Sequence, residues 1–195
     1  MGNDPAPTVA LFARYPTPGL AKTRLIPAIG ADRAAAIHRT LVERTIATVR
    51  EAGLAITVWT TGAEAQQFTD WLGPDTALAE QGEGDLGARL ARVPAPAILL
   101  GADIPGLAAT HLRDAADALQ ANALTIGPAN DGGYYLLGFN APVPWLLNDM
   151  EWGIETVFGE TMKRINARGL SCAMLDPLDD LDRPEDLARW PGLRA

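Results

Sequence analysis

The stretch TVALFA at residues 8–13, closed at 15–19 by YPTPG, decides the fold. A short apolar run stopped by two prolines and a glycine is the pattern of a central strand that ends in a loop. Residues 32–52 follow, Ala-rich and proline-free, with Ala34, Ile37, Leu41, Ile46 and Val49 at helical spacing and Gly53 as the stop. LAITVWT at 54–60 is β-branched and aromatic, a second strand, and 64–72 is a short helix closed by Gly73-Pro74. A short strand is expected at 77–80 and a buried one at 97–100 (AILL), broken at once by GADIPG. The rest reads as a helix over 110–122, strands at 124–126 and 134–139, a helix over 156–168 and a strand at 171–175. Pro184 then opens a short C-terminal helix. Strand and helix alternate in the first half, which predicts an α/β fold with a parallel, helix-covered sheet; the less regular second half makes that sheet mixed.

Length and composition bound what this fold can do. At 195 residues the chain fits one domain, expected over 8–190 and preceded by a flexible N-terminus at 1–7. The net charge of -8 disfavours nucleic acid and anionic lipid surfaces. A single cysteine, Cys172, permits no internal disulfide, and the chain reads as cytoplasmic. One Cys and two His make no Cys/His zinc cluster, so any metal would be a hard ion on carboxylates. The apolar run 9–13 is too short for a signal peptide or a membrane span. Gly2 lacks the Ser or Thr at position 6 that myristoylation favours.

In open α/β sheets ligands sit outside the carboxyl ends of the strands, and here those segments carry most of the polar chemistry. YPTPGLAKTRL after the first strand offers Lys22 as a point charge and Arg24 as a bidentate fork to one anion, beside Pro18 and Gly19; a plain solvated loop is the alternative. Asp103, after the 97–100 strand, is either a metal ligand or a cap of the next turn. Asp131 lies in an Asp-Gly-Gly turn that allows close approach of a ligand and equally suits a hairpin. In QGEGDLGARL, Gln81 and Asp85 stand where a loop can close over a nucleotide, and Asp85 with Arg89 is an i,i+4 pair. The acidic tail DPLDDLDRPEDL offers Asp179, Asp180 and Asp182 as further metal ligands to join Asp103, with Asp182 also a natural N-cap. His38 and His111 read as structural residues away from these loops, Cys172 as a small buried hydrophobe.

The ordered strings FARYPTPGLAKTRL, QGEGDLGARL, LLGADIPGL, IGPANDGGYYLLG, WGIETVF and LDDLDRPEDL resemble a bacterial family of domain-of-unknown-function type (DUF2064-like). Its members are labelled GT-A-like glycosyltransferases or nucleotide-diphospho-sugar transferases, and the resemblance runs from about Thr8 to Trp190. It implies a GT-A-like domain with a Rossmann-like N-terminal half, a nucleotide-sugar or nucleoside triphosphate as donor, a small-molecule acceptor, Mg²⁺ or Mn²⁺, and a monomer or homodimer. In the related nucleotidyltransferases an Arg/Lys loop after the first strand binds phosphates, as Pro18, Gly19, Lys22 and Arg24 would here, and an Asp after the middle strand binds metal, as Asp103 would. Glycosyltransferases carry Asp-x-Asp at that point, whereas this chain reads Asp103-Ile104-Pro105, closer to the nucleotidyltransferase form. In the family's pattern DLG precedes Glu-Arg-Met and a full helix; here Ala88 and Leu90 take those places, Ile104 replaces a Cys, and only residues 91–96 separate Leu90 from the next strand. The lost helix would open the nucleotide side of the cleft or leave a surface for a partner subunit.

The leading expectation is a metal-dependent glycosyltransferase in which Lys22, Arg24 and a cation on Asp103 stabilise the leaving diphosphate. Asp131 would be a second metal ligand or the base for the acceptor hydroxyl. A nucleotidyltransferase that moves a nucleotidyl group from a triphosphate to a small phosphorylated acceptor is the second expectation. A nucleotide-binding protein without catalysis, motivated by the missing helix, is the third.

Overall fold

The computed structural model describes residues 6–193; the expectations on residue 2 and on most of the 1–7 segment fall outside these. In chain order the elements are β1 (Thr8–Arg14), a 3₁₀ turn (Thr23–Leu25), α1 (Ile26–Ile29), α2 (Ala31–Ala52), β2 (Ile56–Thr61), α3 (Ala65–Leu72) and β3 (Ala77–Glu80). They continue with α4 (Leu86–Leu90), β4 (Ala97–Gly101), α5 (Ala109–Ala118), β5 (Leu124–Pro128), β6 (Tyr134–Phe139), α6 (Pro144–Leu147), α7 (Val157–Ala167) and β7 (Cys172–Met174). Two 3₁₀ turns, Pro184–Ala188 and Pro191–Leu193, close the described chain.

Among the described residues seven strands form one sheet in the order β3-β2-β1-β4-β6-β5-β7. β1 pairs in parallel with β2 (Val9 opposite Ile56) and with β4 (Val9 opposite Ile98), while β6 runs antiparallel to both β4 and β5. The expected inner strands are therefore inner, and the sheet is mixed in its second half. Alternation along β1 feeds two cores. Val9, Leu11 and Ala13 meet Val42, Ile46 and Val49 of α2 and Leu112 and Ala115 of α5 on one face. Ala10 meets Leu146 and Leu147 of α6 and Ile165 of α7 on the other, with Phe12 packed against them. Each large side chain buried this way contributes roughly 1.5–3 kcal/mol.

Several boundaries moved. The helix expected to 122 ends at Ala118, where the backbone tightens into i→i+3 bonds: the Gln120 N–H donates to the Asp117 carbonyl at 3.1 Å and that of Ala121 to the Ala118 carbonyl at 3.2 Å. The C-terminal helix is a 3₁₀ turn, and the 171–175 strand shortens to Cys172–Met174. The missing helix after Leu90 is confirmed: α4 is only five residues long. Among the described residues no helix is long and apolar enough to cross a membrane.

From β1 the chain first moves outward to β2 and β3, then returns to lay β4 on the other side of β1. That reversal makes the β1/β4 boundary the switch point, and the loops leaving both strands face one crevice.

Candidate functional site

The crevice is organised around Lys22. This residue has φ 48°, a left-handed conformation uncommon outside glycine, and it opens the Thr23–Leu25 turn whose Leu25 is wholly buried. With Leu25 anchored, the lysine side chain runs inward and keeps only 3% of its surface in solvent. Its Nζ lies 2.8 Å from Asp103 Oδ1 and 3.8 Å from Asp182 Oδ1, and it donates to the Leu181 carbonyl. The Leu181 N–H in turn donates to the Asp103 carbonyl at 2.8 Å. Three separate segments, the β1 exit, the β4 exit and the acidic tail, are thus tied at one ammonium. Burying a lysine is tolerable only with such partners.

Apolar packing also holds the tail in place. Leu181, Leu187 and Leu193 pack with Leu25, Ile37 and Leu41 in a third core under the β1 loop. Of the two roles open to Asp182, metal ligand and N-cap, the second falls to Asp186, which accepts the N–H groups of Asp182 and Arg183 at 3.1 and 2.7 Å. Asp182 is thereby free to face Lys22 and the Arg24 guanidinium, with which it forms an ion pair.

Beyond Arg24 lies an open cleft of about 570 Å³ whose walls include Arg24, Asn130, Asp131, Asp180 and Asp182. Asp131 projects from the β5–β6 turn, its Oδ1 accepting the Gly133 N–H at 2.9 Å. Gly132 fixes that turn. It sits at φ 91°, a Cβ there would come within 2.1 Å of the Glu155 carbonyl, and its own carbonyl accepts the Phe158 N–H. The turn that carries Asp131 therefore stands against the segment that precedes α7. Partial burial, then the nearby Asp131 charge, raise the pKa of Asp180. Asn130 reaches Asp179 at 2.8 Å, which in turn pairs with Arg189.

The expected site residues divide into two groups. Lys22, Arg24, Asp103 and Asp182 come together, and Asp131 shares a cleft with Arg24 and Asp182. Pro18 and Gly19 lie in the exposed β1 loop, with open space beside Gly19. Gln81, by contrast, is buried and spends its amide on the carbonyl of Trp59 at 2.9 Å, joining strands rather than reaching the crevice. Asp85 caps α4 by accepting the Ala88 N–H, and among the described residues it forms no ion pair with Arg89. Asp103 has Lys22 and Asp182 as charged neighbours, not Asp131, and no group of three or more His, Cys, Asp or Glu is gathered for a metal among the described residues.

His38 was misplaced. It projects from α2 under the β1 exit, its Nε2 donating to the Arg14 carbonyl at 3.0 Å. Burial lowers its pKa, opposed by the charge of Asp103 close by. Its i,i+4 spacing with Ala34 and Val42 on the buried face of α2 was the available signal, since that face packs against β1. His111 is structural as expected, accepting the Ala108 N–H at the start of α5.

Residues 44–154 match the model of a family described as uncharacterized proteins conserved in bacteria (DUF2064). A Desulfovibrio desulfuricans G20 protein, provisionally named a nucleotide-diphospho-sugar transferase, is 29% identical, with a TM-score of 0.84 over 90% of this chain and 82% of that one. A nucleotidyl transferase from Methanothermobacter is 16% identical, with a TM-score of 0.62 over 99% of each chain. Rv0371c of Mycobacterium tuberculosis H37Rv, in complex with manganese, is 19% identical, with a TM-score of 0.56 over 95% of this chain and 97% of that one. The mixed sheet and these likenesses make the fold GT-A-like. No curated protein matches the chain.

Proposed function

As a member of the DUF2064 family, the chain is, we propose, a transferase that uses a nucleotide-activated donor and a divalent cation, with a nucleotide-sugar as the donor. The observation that carries this is the convergence at the switch point: a buried ammonium, two carboxylates and a guanidinium around one crevice. The 29% identical Desulfovibrio protein, by its provisional name, supports the sugar donor over the triphosphate.

The oxygen atoms around Lys22 suit a hard cation. Two carboxylates and a backbone carbonyl turned to one point form the donor set that Mg²⁺ or Mn²⁺ takes. Asp103 and Asp182 are the residues that would hold it, so the metal role expected of Asp131 passes to Asp182. A bound cation would supply electrostatic stabilisation to the leaving diphosphate. Lys22, released from its carboxylates, and Arg24, released from Asp182, would then bind the same diphosphate, one as a point charge and the other as a fork. Asp131 takes the base role. Its carboxylate accepts the proton of the acceptor hydroxyl as the acceptor oxygen bonds to the anomeric carbon. The bond from that carbon to the diphosphate oxygen breaks, and the nucleoside diphosphate leaves.

One feature favours a second reading. Asp103 is followed by Ile104 and Pro105 rather than by a second carboxylate, and the nucleotidyl transfer this suggests would release pyrophosphate from a triphosphate. Product analysis with Mn²⁺ separates the two. Release of a nucleoside diphosphate from a nucleotide-sugar is expected, and pyrophosphate as the sole product would reject sugar transfer.

A further inference from the structure

On the other side of Asp131 lies a second, smaller cavity of about 260 Å³. Its walls are Phe12, Leu90, Leu99, Tyr134, Trp152 and Val157, drawn from β1, α4, β4, β6 and the start of α7. Asp131, Gly153 and Ile154 line this cavity and the charged cleft alike, so the two spaces meet at the Asp131 carboxylate. At the rim stand Leu86 and Ile154, 41% and 40% exposed, two of the few large hydrophobic side chains that this protein leaves in water. The part of each that stays in water adds no burial to the fold. The short α4 leaves the mouth uncovered: after Leu90 the chain turns at once toward β4.

A polar ligand is poorly served there. Sugar hydroxyls pressed against Phe12, Leu99 and Val157 would lose water without gaining partners, whereas an apolar body gains by leaving water. A donor is available. The Trp152 indole N–H is buried and has no hydrogen-bond partner, although its ring stands edge-on to Tyr134 at 6.1 Å. A buried indole N–H normally finds a partner. The volume falls just below that of drug-sized sites, about 300–1,000 Å³, and suits one compact ring system.

We infer that this cavity holds the apolar body of the acceptor, an alcohol or phenol with a compact aromatic or alicyclic group, and directs its hydroxyl to Asp131. The inference rests on the transferase reading for the word acceptor, but the cavity can be tested without a donor. 2-Naphthol serves as the probe, titrated calorimetrically into the whole protein, with glucose as the polar counterpart. Saturable binding of 2-naphthol and none of glucose is expected. Leu86→Asp should weaken 2-naphthol at least tenfold while the protein melts as before, because an acid in the first turn of α4 suits that helix. Ile154→Asp, from the opposite rim, should do the same. A nucleotide with Mn²⁺ should leave 2-naphthol bound, since donor and acceptor must be present together.

Absent 2-naphthol binding, binding unchanged in both variants, or displacement by the nucleotide would each overturn the inference. Failure here with nucleotide binding intact leaves the transferase reading standing. Binding of 2-naphthol to a protein that takes no nucleotide at all would keep the apolar site and remove its acceptor role.

Discussion

Around Lys22 each charge already has an opposite within reach, with Asp103 at 2.8 Å, Asp182 at 3.8 Å and Arg24 paired to the same Asp182. Around Asp131 the pattern reverses: the carboxylate accepts the Gly133 N–H, sits near the like charge of Asp180, and faces both a wide cleft and an apolar cavity. The first region is a closed electrostatic knot, which under the proposed function a phosphate would have to reopen by exchanging partners. The second is preformed, and its polar group is left available. Binding at the first region is therefore a competition with the protein's own acids, and chemistry at the second needs little rearrangement.

The largest expected effect sharpens the open side. Asp131→Asn keeps the turn-forming side-chain oxygen but loses the proposed base, so turnover should fall by roughly 10²- to 10⁴-fold. Nucleotide and Mn²⁺ affinity, measured by calorimetry, should hold. Unaltered turnover, or loss of the metal with the activity, would move Asp131 out of the base role. Next comes the knot itself. Lys22→Met fills the same space without the charge and leaves the Leu181 carbonyl and Asp103 without their donor, while Asp182 keeps Arg24. Thermal melts should show a loss of about 1–3 kcal/mol, discounted because Asp103 keeps 46% of its side chain in solvent. At 2–4 °C per kcal/mol for a chain of this length, that is a drop of roughly 2–12 °C. A melt at the wild-type temperature would mean that the tail is held by Leu181, Leu187 and Leu193 alone. Smallest is Arg24→Lys. The guanidinium is 61% exposed, so its ion pair contributes roughly 0–1 kcal/mol and the melt should barely move. Nucleotide binding should weaken by about tenfold as the bidentate fork is lost. A destabilised protein with unchanged affinity would assign Arg24 to the fold instead.

The difference between the regions also explains what could be read from the chain. TVALFA, AILL and the Ala-rich 32–52 segment announce their elements because burial and local periodicity dictate them, and the order of polar loops follows from the strand-end rule. Lys22, Arg24, Asp103 and Asp131 were legible on that basis as polar residues past buried strands. Pairing between distant segments was not. Nothing near Asp182 in sequence says that Asp186 will accept the N–H groups of its turn and leave it facing Lys22, and the spacing of His38 with Ala34 and Val42 marks a buried face of α2 without saying that it lies under the β1 exit. Gln81 shows the opposite error, a polar residue at a strand end whose amide is consumed by a carbonyl of the neighbouring strand. The apolar cavity escaped notice because its walls come from strands and helices that each look like ordinary core.

Under the proposed function the knot at Lys22 is a nucleotide and metal site. Thermal melts of the whole protein with nucleotide-sugars and nucleoside triphosphates, with and without Mn²⁺, test it most directly. A ligand at 100 times its dissociation constant should add about 2.7 kcal/mol, or roughly 5–11 °C for a chain of this size. The shift should require Mn²⁺ and should vanish in Asp103→Ala. Melts unmoved by every nucleotide, or a shift that survives Asp103→Ala undiminished, would contradict the account.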